Sequence, residues 1–161
     1  MPLRPAFRLG RPARLPRLPR LPRVRAVLPV LPRQAPDRWL DYAPHPDGRP
    51  DPGEVVWAWV PYEDDPSRGK DRPVLLVGRE GETLLGLALT SKDHDVDASQ
   101  EAREGRHWMD VGTGPWDDRR RASEVRLDRL LRLDPADVRR EGAVLPRDVF
   151  DAVVAAAQQY W

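Results

Sequence analysis

No cysteine occurs among the 161 residues, so the chain has no disulfide framework, no thiolate-held zinc or iron–sulfur cluster and no thiol nucleophile. Long apolar runs are missing too. Stretches such as Val153–Ala157 fall far short of the roughly 20 residues that a membrane helix needs. Near the N-terminus, arginine interrupts every candidate signal-peptide core, and the proline load defeats the amphipathic helix of a transit peptide. A soluble, cytoplasmic protein without a membrane partner is expected.

What is present is distributed unevenly. Residues 1–50 hold 11 arginines against three aspartates, a net of +8, together with 12 of the 19 prolines. The remainder holds 16 basic and 23 acidic residues, a net of −7. Proline at that density removes backbone donors and excludes helix interiors and central strands. Arg14-Leu15-Pro16, Arg17-Leu18-Pro19 and Arg20-Leu21-Pro22 repeat with the three-residue period of polyproline II, which lines arginines along one edge. Residues 1–50 are therefore read as a disordered basic extension, either solvated or an electrostatic arm for nucleic acid, and residues 51–161 as the folded domain.

Within that domain Glu54–Val60 has the β-branched and aromatic character of a strand. Pro61–Lys70 reads as a polar, mobile loop, and Arg72–Gly78 and Thr83–Leu89 as two further strands joined by a tight turn. Residues 91–106 are polar, a long loop or a short helix. Trp108–Val111 reads as a strand and Ser123–Leu127 with Arg129–Leu133 as one bent strand or two, with Ala143–Leu145 a candidate for a final short one. Asp134-Pro135 predicts a helix start running to about Arg140, with Gly142 ending it. Pro146–Gln159 predicts a terminal helix with Val149, Phe150, Val153, Val154 and Ala157 on one stripe. Five or six short strands with terminal helices suggest a small closed antiparallel sheet, since closure removes exposed edges.

The order Pro52–Trp57, a charged loop, Gly69–Val77, Leu87–Ser91, and then Ser123–Asp128 before Leu131–Asp134 resembles the MazF/PemK family of toxin–antitoxin endoribonucleases, over roughly residues 52–156. The resemblance implies an SH3-like barrel, a homodimer, a cognate antitoxin, and cleavage of single-stranded RNA with no metal or other cofactor. It also implies roles for Arg72 and Thr90. RNA cleavage through the 2′-hydroxyl builds negative charge on phosphorane oxygens, and a guanidinium fork matches that geometry at any working pH. A threonine hydroxyl can donate to the same phosphate. The alternative is a catalytically silent SH3-like module that binds protein or nucleic acid, because one fold serves both.

Other candidates follow from chemistry. A domain of net −7 repels RNA at long range, so affinity needs a local basic patch, for which Arg119, Arg120 and Arg121 are placed with Lys70 and Ser91. Trp116, in a Gly-Pro-rich turn, can stack on a base or pack internally. Trp57 and Trp59 lie two apart on one strand face and suggest core or dimer packing. For acid–base work the candidates are His94 and His107, in or beside the 91–107 segment that sets this chain apart from short family members, and Glu63, Asp64 and Asp65 in the first loop. Asp93, Asp95, Asp97 and Glu104 have calcium-loop spacing, but Ala98 stands where the sharp turn needs glycine, so no metal is expected.

Overall fold

The computed structural model describes residues 38–93 and 98–161. The described residues form eight strands: β1 (Arg38–Leu40), β2 (Glu54–Pro61), β3 (Gly69–Glu80), β4 (Thr83–Thr90), β5 (Trp108–Gly112), β6 (Ser123–Arg126), β7 (Leu131–Leu133) and β8 (Arg140–Val144). Two helices, α1 (Ala98–Arg103) and α2 (Arg147–Ala157), complete it, with 3-10 turns at Pro135–Asp137 and Gln158–Tyr160. The strands make one curled antiparallel sheet in the order β5-β6-β4-β3-β2-β8, and β1 and β7 add to β3 and β4. Among the described residues no helix is long and apolar enough to cross a membrane.

The apolar runs of β3 and β4 follow from burial on both faces of the sheet. Along β3 the pleat sends Leu75 and Val77 into one cluster, with Leu85, Leu87, Val125 and the α2 residues Phe150 and Val153. It sends Val74 and Leu76 into the other, with Val56, Ala58, Val60, Leu131 and Leu133. Helix α2 buries Phe150, Val153 and Ala157, the heart of the expected stripe.

Several expectations are corrected. Arg38–Leu40, assigned to the extension, joins the sheet, Arg38, Trp39 and Leu40 pairing with Glu80, Arg79 and Gly78. Gly78 permits this, because a Cβ there would overlap the Trp39 carbonyl. Tyr42 then packs edge-on to Phe150 with ring centres 5.2 Å apart, and its hydroxyl donates to the Leu145 carbonyl at 2.8 Å. Residues 1–37 lie outside the described residues. The helix expected from Asp134 lasts one 3-10 turn. Its cap is as foreseen, Asp134 accepting from the Ala136 amide, but Val138 is already extended and Arg140–Val144 pairs with β2, so an available sheet edge outweighs local helical preference. Trp59 is 51% exposed and is not a core residue.

Candidate functional site

Strand β3 starts at Gly69, three residues earlier than the apolar pattern indicates, because Lys70 pairs with Val60 and Arg72 with Ala58. The polar start of β3 is thus held by backbone pairing to β2. Strand β4 pairs beside it and finishes at Thr90, opposite Glu124 of β6. The β5–β6 connection arrives from the other side. Trp116 is 2% exposed and donates from Nε1 to Ser123 Oγ at 3.1 Å, and Gly114 has no Cβ because one would overlap the Trp116 ring.

These elements enclose a groove of about 380 Å³. Arg72 and Lys70 line it from β3, Thr90 and Ser91 from the end of β4, and Arg119 and Arg121 from the connection. Six residues singled out in the sequence therefore meet in one place. Trp116 lines the groove as well, but its burial makes it part of the wall and not an open stacking face. Arg120 is not among the lining residues; its φ of 54° belongs to the turn, where its amide donates to the Asp117 carbonyl at 2.8 Å.

Four cationic side chains line the groove against three acidic ones, Asp71, Asp117 and Asp118. Two of those acids are engaged. Arg139 pairs with Asp71, and Arg121 Nε donates to Asp117 Oδ2 at 2.8 Å. The Arg121 hydrogen bond, helped by the Arg119 amide, holds the Asp117 carboxyl below its usual range. The guanidinium of Arg72 has no carboxylate partner among the described residues. Thr90 Oγ1 accepts the Lys92 amide at 3.2 Å, which leaves the hydroxyl hydrogen available to a ligand.

His107 is not among the described residues that line this groove. His94 lies outside the described residues, as do Asp95 and Asp97 of the calcium-like spacing. His107 stacks on Tyr160 with ring centres 4.5 Å apart, and its amide donates to Asp128 at 2.7 Å, so it ties the polar segment to the C-terminus. In the β2–β3 loop Asp65 is used internally, accepting from the Ser67 amide and hydroxyl. Glu63 reaches instead to Arg126, at 2.7 Å, and to Arg129, at 3.5 Å. Those two arginines, with Arg106 and Trp108, line a second cleft of about 390 Å³ that sequence reasoning missed; Arg72 and Leu89 line both. The only signal for it was the arginine content of 126–129, which strand alternation hid.

A curled antiparallel β-sheet with a groove of four cationic and three acidic side chains at one end defines a small β-barrel-like module. A family model described as the PemK-like, MazF-like toxin of type II toxin-antitoxin systems matches residues 51–160, and the chain belongs to that family. Solved structures that match include the Mycobacterium tuberculosis toxin MazF-mt6, at 18% identity over 66% of this chain and 94% of that one, TM-score 0.44. A MazF crystal structure from Deinococcus radiodurans matches at 21% identity over 70% of this chain and 96% of that one, TM-score 0.49. Comparison with curated proteins gives no match.

Proposed function

We propose that the protein is a metal-independent endoribonuclease that cleaves single-stranded RNA through the neighbouring 2′-hydroxyl, and so acts as the growth-inhibiting toxin of a pair with a cognate antitoxin. The observation that carries this reading is the meeting of Arg72 and Thr90 in one groove, the first without a carboxylate partner among the described residues and the second with its hydroxyl hydrogen available. As the 2′-oxygen, losing its proton, bonds to phosphorus and the P–O5′ bond breaks to leave a 2′,3′-cyclic phosphate and a protonated 5′-hydroxyl, charge grows on the non-bridging oxygens; Arg72 clamps one and Thr90 donates to the other. Both donors are set in paired strands and need little reorganisation. Lys70 and Arg119 guide the flanking backbone, which a region of net −7 otherwise repels. A homodimer fits the same reading, because exposed Trp59 shares a surface hollow with Leu130 and Leu131.

The test is cleavage of a long unstructured RNA in EDTA by the full chain and by Arg72→Ala. The parent is expected to cut and the folded variant to be silent. Full cleavage by Arg72→Ala overturns the mechanism, and no cleavage by the parent on any RNA favours the silent binding module. Sedimentation at micromolar concentration checks the dimer, and a monomer there removes it.

A further inference from the structure

Four arginines line the second cleft, Arg72, Arg106, Arg126 and Arg129, with Glu63 and Asp64 from the β2–β3 connection, and Arg106 is already paired with Glu101 and Glu104. Arg126 has one permanent counter-ion, since Asp128 accepts a two-pronged bond from it at 2.7 and 3.1 Å and is itself fixed by the His107 amide. Arg129 has none of that kind. Its Nη2 donates to the Pro61 carbonyl at 2.8 Å, and its nearest carboxylate among the described residues is Glu63, at 3.5 Å. Burial pushes the Arg129 guanidinium below its usual range; Glu63 opposes this, while Arg126 and Arg72 add to it by repulsion. The side chains of Arg126 and Arg129 are 14% and 25% exposed, against 50% for Glu63.

Two guanidiniums that share the Glu63 carboxylate, Arg126 and Arg129, with Arg72 lining the same cleft and no carboxylate on it among the described residues, have the composition of an occupied anion site in which the occupant belongs to the chain. Glu63 is the removable member. It sits on the β2–β3 connection, is half exposed, and makes its contacts through one oxygen, Oε1. Asp128, in contrast, is bound on two sides. A phosphodiester carries the same single charge as Glu63 and offers more acceptor oxygens, so exchange keeps the charge balance and gains hydrogen bonds.

We infer that Arg126 and Arg129, together with Arg72, form a second phosphodiester-binding site that the Glu63 carboxylate holds shut. Since Arg72 also lines the Thr90 groove, the two sites take successive parts of one strand, and Glu63 makes occupancy of the second depend on ligand displacing the loop. This rests on the single-stranded RNA reading of the first groove. The acidic loop residue then sets the threshold for long substrates and acts on no bond itself.

The experiment uses the full chain and two probes. In the first arm inorganic phosphate is titrated at constant ionic strength while the arginine Nε–H resonances are followed by NMR, for the parent and Glu63→Gln. The Arg126 and Arg129 signals are expected to move, with half-saturation about fivefold lower in Glu63→Gln, the size of one lost exposed ion pair. In the second arm an uncleavable 2′-O-methyl RNA oligonucleotide is bound across a salt series. Glu63→Gln is expected to bind about fivefold tighter, and Arg129→Gln to bind more weakly with the salt slope reduced by about 0.7, one phosphate contact on a single strand. Melting curves establish that both variants fold, and Glu63→Gln alone decides the matter should Arg129→Gln not fold. Weaker binding by Glu63→Gln, the result expected of a mere loop anchor, overturns the proposal, as does phosphate that moves neither arginine in either protein. Phosphate bound at these arginines in a protein that cuts no RNA keeps this site and removes the nuclease reading, so the two failures are distinct.

Discussion

The two ends of β3 are made of different chemistry. Gly69–Pro73 is polar and partly or fully exposed, whereas Val74–Gly78 is buried throughout. One continuous ladder to β2 nevertheless holds Gly69–Leu75, so the functional end is fixed by backbone pairing and the stabilising end by apolar packing as well. Substitution at the first end should therefore change chemistry without melting the fold, and at the second should do the reverse.

The largest effect is expected at the buried end. Leu75→Ala removes a fully buried side chain and should cost about 4 kcal/mol, a large part of the 5–15 kcal/mol typical of a domain, as read by urea denaturation. A loss under about 1 kcal/mol would show that this end is not the anchor. At the other end, Arg72→Ala and Thr90→Ala should each slow RNA cleavage about a hundredfold or more, near 3 kcal/mol in the barrier, while unfolding shifts by less than about 1 kcal/mol. If the melting temperature falls together with the rate, the separation fails.

Smaller effects come from regions that sequence reading placed wrongly. Tyr42→Ala removes the Phe150 contact and the Leu145 hydrogen bond, and should destabilise by about 2 kcal/mol; Tyr42→Phe should cost about 1 kcal/mol by losing the bond alone. A chain starting at Asp51 should melt lower than one starting at Arg38, and equal melting would return residues 38–50 to the extension. The smallest effect concerns acid. The Asp117 carboxyl is held below its usual 3.8 by Arg121, so its contribution is present above that value and is lost as pH falls through its lowered folded-state value. Asp117→Asn should flatten the acid limb of a stability–pH curve slightly and leave neutral stability nearly unchanged.

The parts of the fold legible in the sequence are those where local pattern and tertiary environment agree. Val74–Val77 and Leu84–Leu89 read as strands because both faces of the sheet are apolar, and Phe150, Val153 and Ala157 mark the buried side of α2. Of the residues that line the groove, the resemblance points to Arg72 and Thr90, at strand ends, and the charge balance to Arg119 and Arg121. What escaped depends on distant partners. Arg38–Leu40 is a strand only because β3 outruns β2 and offers Gly78–Glu80 as an edge. His107 was a reasonable acid–base candidate until Tyr160, 53 positions later, stacked on it. The cleft of Arg126 and Arg129 needs Glu63 from another loop, and no periodicity within either segment reports that meeting.

The β2–β8 pairing has a kinetic consequence. Glu54 lies opposite Val144, a closure over about 90 residues, while β2, β3 and β4 are consecutive neighbours joined by short connections. Closing so long a loop carries an entropy cost that local hairpins do not, so the meander is expected to form first and the β8 seam late. The groove residues of β3 and β4 can then be in register before the seam and α2 cover the core behind them. Pulse-labelled amide exchange during refolding, with protection at Leu75–Val77 preceding protection at Ala143 and Val144 of the seam, is the pattern this order requires.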